Sequence, residues 1–455
     1  MKRHLTIVIK LGTSSIVSED THEPLVSIIG TIVETVVALR RDGHRVIICS
    51  SGAIGMALHL TGEPRRPKHL PDVQALASIG QVSLMNMWTQ QFAYFNMLVS
   101  QVLLTRHDIA DRNQYLNAQN TFASLMSRGA IPVVNENDTI SVQEIKFGDN
   151  DTLSAITAGM VQADYLFLMT DVDCLYDKNP RKHPDARPIE VVEDIADLDV
   201  DVSSGGSSLG TGGMGTKLTA ARLATAAGVT TVITRSSKPG NIASIVRYAE
   251  SQKAAAKSLE SSLELPAQST AGIATPDSSQ APDSANNTTI DIEIPPLHTR
   301  FLPDPHPIRD RYFWLLHGLA PHGTLFIDRG AYTALTNGAG LLPVGVVDVE
   351  GSFGQQECVR LSILPTRESP LSEGEEAGRA LVNYSAIEIK RIKGLSSRKI
   401  AEVIGYADSE YVALRENIAF FKREGSRPGT PSGEREKDVT PKRYSLGRLS
   451  NYVAG

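Results

Sequence analysis

Cysteine is scarce in this 455-residue chain. Cys49, Cys174 and Cys358 are too few and too scattered for a disulfide framework or a zinc cage, which excludes an extracellular scaffold and fits a reducing compartment. Long apolar runs are missing as well. No stretch of about 18 uninterrupted apolar residues occurs, so the sequence offers no transmembrane helix. The opening MKRHLTIVIKLGTSS has a basic start and an apolar run, but Lys10 breaks the run and no small-residue cleavage site follows. The expectation is a soluble, cytoplasmic protein with no membrane partner. Cationic excess is absent: the formal net charge is -6, which argues against a chain coated in nucleic-acid-binding cations but leaves a local basic patch open. The 11 histidines form no motif. What is present is ordinary globular material, 41% hydrophobic and 21% charged, enough for two to four domains at about 100–200 residues each.

Through the first 250 residues short β-branched runs alternate with longer helical patterns. TIVIK from Thr6, RVIICS, MLVSQVLLT, IPVVNEN, DYLFLMT and VTTVIT read as strands. Between the first two, Ile28, Ile29, Ile32, Val33, Val36 and Leu39 form one helical stripe that closes at Gly43. A helix around Asn113 to Ser127 ends at Gly129, and KLTAARLATAAG reads as another. This alternation predicts an α/β fold, a mostly parallel open sheet sandwiched by helices. Ligands of such sheets bind beyond the carboxyl ends of the strands.

Residues 251–298, rich in Ser, Ala, Pro, Thr, Asn and Asp, read as a flexible linker. Residues 299–424 read as a small, mainly β domain with strands in TLFID, GVVDVEG, ECVRLSIL and ALVNYSAIEIKRIKG. Short helices are expected after Asp328 and in SSRKIAEVIG. Residues 425–455 read as a flexible basic tail.

Several polar segments fall at the expected edge of the first sheet. Lys10 sits at a strand end before a glycine and small hydroxyl residues, where a lysine is either an ordinary surface side chain or a phosphate ligand. SSGAIG (50–55) is an ordinary turn or a cradle of amides and hydroxyls for an anion. NENDTI (135–140) and FGDNDT (147–152) gather amides and carboxylates. They suit Asx turns with Asp151 as a helix cap, or a grip on a polar substrate carrying an ammonium group, on magnesium or on a lysine. Thr170 and Asp171 follow another strand. GTGGMGTK (210–217) is not a P-loop, because Thr216 separates Gly215 from Lys217. It still combines glycine amides, a helix start and a cation, the parts a polyphosphate needs.

In this order and spacing, IKLGTSS, SSGAIG, NENDTI, GDND, TDVDCLY and GTGGMGTK resemble the amino-acid kinase family, and within it the glutamate 5-kinases. LLTRHDIADRNQYLNAQNTF adds to the likeness, and GTLFIDRGAYTALTNGAGLLPVGV with the later EVIGY is similar to the PUA domain that follows the kinase in many of them. The resemblance implies residues 1–250 as the kinase domain and 299–424 as a PUA-like domain. It implies that Lys10 and Lys217 neutralise the transferring phosphoryl group, with Asp151 orienting them. It further implies that Ser51, Asp138, Asp149 and Asn150 bind glutamate. ATP would be held by Lys10, Thr170, Asp171, Thr211, Gly212, Gly213, Met214, Gly215, Thr216 and Lys217. Mg²⁺ would come with ATP, and no protein ligand is assigned to it.

The implied activity is phosphorylation of the side-chain carboxylate of L-glutamate to L-glutamyl 5-phosphate, the first step of proline biosynthesis. Proline would be an inhibitor and the protein a homo-oligomer. The long linker and the basic tail depart from the family pattern. Two alternatives stand beside this reading. One is a related kinase acting on acetylglutamate, aspartate, UMP or carbamate. The other is an RNA-binding PUA protein with a vestigial kinase domain, RNA binding in addition to catalysis being the milder form.

Overall fold

Thr6–Leu11 (β1) is buried at all six positions, which a strand tolerates only where both faces of its sheet are covered. The structure, a computed structural model, describes residues 4–141, 150–195, 198, 200, 213–263, 295–305, 307–308 and 310–421. After β1, Val26–Arg41 (α1) turns its apolar stripe inward, and Gly43 at φ +92° leads into Arg45–Ser50 (β2). Ala53–Thr61 (α2) and Leu70–Ala93 (α3) precede Val99–Leu104 (β3). Arg106–Ala110 (α4) opens on a Thr105–Asp108 capping box, and Arg112–Ser127 (α5) is capped by Asp111. Then come Ile131–Glu136 (β4), Asn150–Met160 (α6) and Tyr165–Thr170 (β5). Leu175–Tyr176 (β6) and Pro188–Ile189 (β7) pair as a small ribbon before Val191–Val192 (β8). Met214–Ala226 (α7), Thr230–Arg235 (β9) and Asn241–Leu263 (α8) follow.

The sheet runs β3-β4-β2-β1-β5-β9 with every neighbouring pair parallel. Its side chains alternate between two cores, one on each face. Val8, Ile47, Val134 and Leu166 belong to one, packed against side chains of α5, α6 and α7. Ile7, Ile48, Val133 and Phe167 belong to the other, with side chains of α1, α3 and α8. This is the mostly parallel, doubly covered sheet that the alternation predicts.

Beyond residue 250 the structure departs from the expected flexible linker. Helix α8 continues to Leu263, carried by SQKAAAKSLESSL, whose Ala, Lys, Leu, Gln and Glu are strong helix formers despite their low hydrophobicity. Residues 264–294 lie outside the described residues. Thr299–Phe301 (β10) then does not open a separate module, as the domain boundary at 299 supposes. It joins the first sheet, antiparallel to β9 and parallel to β8. Phe301 is buried in the core, and Thr299 Oγ1 accepts from the Leu175 N–H (2.7 Å) and lies 2.6 Å from the Ile189 carbonyl oxygen.

The C-terminal portion starts with Asp310–Phe313 (α9) and a π-helical turn at Trp314–Gly318. Its strands Gly323–Ile327 (β11), Val346–Gly351 (β12), Cys358–Ile363 (β13), Glu375–Leu381 (β14) and Ile418–Phe420 (β15) form a second sheet, ordered β12-β11-β13-β14-β15. Arg329–Thr336 (α10) and Ile400–Ile404 (α12) fall where the sequence places short helices. Between them, AIEIKRI, read from sequence as strand, is instead Ala386–Ile392 (α11). The Ile-Glu-Ile alternation mimics a strand, but the Ser385–Glu388 capping box starts a helix and Ile389 and Ile392 face the core together. The expected tail at 425–455 lies outside the described residues.

The turn at Trp314–Gly318 wedges the two sheets' surroundings together. Trp314 Nε1 donates to the Ile109 carbonyl (2.8 Å), and the Phe313 ring closes on Gly159 of α6, where an added Cβ would stand 2.5 Å from it. Among the described residues no helix is long and apolar enough to cross a membrane.

Candidate active site

Three strand ends and two helix starts meet at the carboxyl edge of the first sheet. Lys10 lies near the end of β1, opposite Cys49 of β2 and Leu168 of β5, and is only 4% exposed. Its Nζ stands 2.6 Å from Asp151 Oδ1. Asp151 occupies the first turn of α6 and is completely buried. The first turn of α7 supplies the rest: Lys217 Nζ is 3.2 Å from Asp151 Oδ2, and the Thr216 hydroxyl donates to the same oxygen (2.8 Å). Thr216 also accepts from the Gly213 N–H (3.0 Å), which pins the helix start to the carboxylate.

Two ammoniums against one carboxylate leave an excess positive charge beside two helix N-termini, the setting for a polyanion. Burial alone would push the Asp151 pKa up. The Lys10 and Lys217 ammoniums, helped by hydrogen bonds from Lys10 and Thr216, more than reverse this and hold it down to about 2. Asp151 therefore stays ionised at neutral pH and has no proton to exchange there.

A second network adjoins the first through the chain itself, since Asn150 precedes Asp151. Asn150 Nδ2 donates to Ser51 Oγ (2.7 Å) and to Asn135 Oδ1 (2.9 Å). Ser51 follows β2, its N–H bonded to the Leu11 carbonyl (3.0 Å), and the next residue, Gly52, takes φ +109°. A side chain there would adopt a strained backbone and meet Ile16 Cδ1 at 2.5 Å, so the turn into α2 requires glycine. Asn135, at the end of β4, is buried, and its Nδ2 donates to Gln81 Oε1 of α3 (2.9 Å).

Asp138 sits half-buried in the turn after β4. Thr170 ends β5, and its hydroxyl donates to Asp171 Oδ1 (3.1 Å). Asp171 pairs in turn with Arg181. Behind them, Arg235 Nε and NH2 grip the two oxygens of Asp173, each at 2.7 Å, tying the end of β9 to the segment after β5. Gly213, Met214 and Gly215 form the approach and first turn of α7. Asp149, Thr211 and Gly212 lie outside the described residues.

Lys10, Asp151, Thr216 and Lys217 thus form one connected cluster, and Ser51 with Asn150 a second. Thr170 and Asp171 line the same sheet edge, Thr170 bonded to Asp171 and Asp171 paired with Arg181. Sequence reasoning did not single out Asn135 within its cluster, Gln81 or the Asp173–Arg235 pair. For Gln81 no signal was available, because one glutamine on a long helix has no distinguishing pattern. Among the described residues no group of three His, Cys, Asp or Glu side chains converges to hold a metal ion. The donor set here is cationic and suits an anion that brings its own counter-ion.

Residues 5–235 match the model of the amino acid kinase family, and residues 323–404 match the PUA domain. A Schizosaccharomyces pombe protein named "Probable glutamate 5-kinase" is 50% identical over 416 residues, covering 91% of this chain and 92% of that protein. An uncharacterized Saccharomyces cerevisiae protein is 46% identical over 434 residues, covering 92% and 99%. A protein of Cyanothece sp. named glutamate 5-kinase is 42% identical over 415 residues, covering 91% and 98%.

Proposed function

The chain belongs to the amino acid kinase family, and on that premise we propose that it transfers the γ-phosphoryl group of ATP to the side-chain carboxylate of L-glutamate. The observation that carries this reading is the buried Asp151 carboxylate shared by Lys10 and Lys217. A glutamate side chain with a reference pKa of ~4.3 is already an ionised nucleophile at pH 7, so no general base is needed. The obstacle is bringing that anion up to an anionic phosphate. Lys10 and Lys217 offset the repulsion and stabilise the negative charge on the phosphoryl oxygens as the group passes from donor to acceptor. Asp151 is a positioning residue: it holds both ammoniums in place and remains ionised throughout.

Ser51 and Asn150 orient the reacting carboxylate, with Asp138 serving the substrate ammonium; Asp149, outside the described residues, belongs to the same glutamate-binding set. The nucleotide lies along Thr170, Asp171 and the start of α7, and Mg²⁺ brought with it would supply further charge neutralisation. The product is L-glutamyl 5-phosphate, an acyl phosphate that serves as the first intermediate of proline biosynthesis. Inhibition by proline belongs to the same reading, and competition with glutamate is its test. The protein would act as an assembly of like subunits, which light scattering checks.

The decisive experiment measures ADP release by the purified full chain with Mg·ATP and L-glutamate, N-acetylglutamate, aspartate or UMP, in the presence of hydroxylamine. Glutamate-dependent ADP release with a γ-hydroxamate product supports the proposal, and turnover with another acceptor alone overturns it. The PUA match at 323–404 favours a second role in binding structured RNA. Tight, strongly salt-dependent binding by the full chain would support that role.

A further inference from the structure

The amide network of the site ends on a donor that has no acceptor among the described residues. Asn135 Oδ1 receives two hydrogen bonds, from the Glu136 backbone N–H (2.9 Å) and from Asn150 Nδ2 (2.9 Å). The backbone donor identifies that atom as oxygen, so the other end of the Asn135 amide is its NH2. This NH2 donates to Gln81, which must therefore present its oxygen, at 2.9 Å. Gln81 Nε2 is then turned to the other side, where it is shut off from solvent and has no hydrogen-bond partner among the described residues. A buried amide NH2 without an acceptor is uncommon in folded proteins and marks a place where a partner is to be supplied.

Gln81 cannot retreat from this position. Its neighbour Gly80 presses α3 onto α2 so closely that an added Cβ would stand 1.7 Å from the Ala53 carbonyl oxygen. Ala53 begins α2 immediately after Ser51 and Gly52, so the same contact that fixes Gln81 also fixes the turn after β2. Asn135 belongs to β4, separated from Lys10 on β1 by β2. The backbones of β1 and β4 are thus about 10 Å apart, and Asn150 Nδ2 bridges the gap by reaching both Ser51 Oγ (2.7 Å) and Asn135 Oδ1 (2.9 Å). The network thus starts at Ser51 and leads away from Lys10 through Asn150 and Asn135 to Gln81.

We propose that Gln81 binds the α-carboxylate of the amino-acid acceptor through its Nε2 donor and thereby selects acceptors that carry one. The proposal rests on the glutamate kinase reading and adds a specificity-determining residue to it. The relay Asn150–Asn135–Gln81 then spans the substrate, one end beside the reacting carboxylate and the other on the α-carboxylate.

The test compares kcat/KM for L-glutamate with that for L-isoglutamine, which keeps the reacting carboxylate but carries an α-carboxamide. Wild type, Gln81→Glu and Gln81→Met are measured. In Gln81→Glu the new carboxylate still accepts from Asn135 but turns an oxygen toward the substrate in place of the NH2. The preference for glutamate over isoglutamine should fall by about tenfold to a hundredfold in Gln81→Glu, the worth of a hydrogen bond to a charged group. It should fall in the same direction in Gln81→Met. Because the preference is a ratio measured in one sample, a partly folded preparation does not alter it. If wild type phosphorylates glutamate and both variants lose the two substrates equally, Gln81 merely supports Asn135 and the proposal is overturned. If wild type phosphorylates neither, the kinase reading fails and takes the proposal with it.

Discussion

Lys10 and Asp151 meet at 2.6 Å with both side chains almost wholly withdrawn from water, and Lys217 closes on the same carboxylate from another helix. In either single lysine variant Asp151 keeps one ammonium partner, so the fold survives. Lys217→Ala and Lys10→Ala should each lower kcat by about 10²–10³-fold, the scale of losing one transition-state charge contact, with an unchanged far-ultraviolet circular dichroism spectrum. Turnover near the wild-type rate in Lys217→Ala would remove that residue from the chemistry.

Asp151→Asn is the more damaging change, because it leaves two buried ammoniums facing each other. We expect a loss of about 3–5 kcal/mol in urea unfolding, together with loss of activity. An Asp151→Asn variant as stable as wild type would contradict the charge balance described for the site.

The low Asp151 pKa fixes a direction for acid sensitivity. Its folded-state value of about 2 lies below the ordinary 3.8. The resulting stabilisation is therefore fully present above about pH 4 and is lost as pH falls toward 2. It amounts to about 2 kcal/mol. The stability gap between wild type and Asp151→Asn should narrow across that window, and unfolding curves at pH 5, 4 and 3 check it. A gap constant with pH would mean that Asp151 titrates normally.

Gly80 admits no side chain without parting α2 from α3. Gly80→Ala should cost at least about 1–3 kcal/mol of stability, seen as a lowered Tm. Because the displaced contact, Gly80 against Ala53, sits between the neighbours of Gln81 and of Ser51, KM for the acceptor should rise more than KM for ATP.

The Asp173–Arg235 pair is about one-third exposed on each side, so its direct contribution to stability is small. A double-mutant cycle with Asp173→Asn and Arg235→Met should give a coupling of no more than about 1 kcal/mol. Its influence should appear instead in KM for ATP, raised by both variants with KM for glutamate little changed. Equal effects on both substrates would place the pair outside nucleotide positioning.

Much of the first half was legible because its strands are short apolar runs cut by glycine and polar turns, as at Thr6–Leu11 and Tyr165–Thr170, and local patterns suffice for those. Lys10, Lys217 and Asp151 drew attention through the motifs that resemble the amino-acid kinase family, since each alone had an ordinary reading. What the sequence left open was the nature of Asp151, which reads equally well as a helix cap. Only the folded chain shows it fully buried under two ammoniums. Asn135 and Gln81 escaped notice because their role lies in the direction of an amide, which depends on partners from four separate segments. Thr299–Phe301 escaped because three residues after a polar stretch carry no periodicity, and their pairing is entirely non-local. The Ile-Glu-Ile alternation in α11 misled because a short capping box outweighed it.

The late arrival of β10 bears on how the protein is made. β8 has β10 as its sheet neighbour, so Val191–Val192 is without its strand partner until Thr299–Phe301 is synthesised. At ribosomal speeds of about 5–20 residues per second, that interval is roughly 5–20 s. For that time the nascent chain exposes an unsealed strand edge, the kind of surface that chaperones shield. A gene fragment cut at residue 235, where the family match ends, would encode a protein that never leaves this unfinished state.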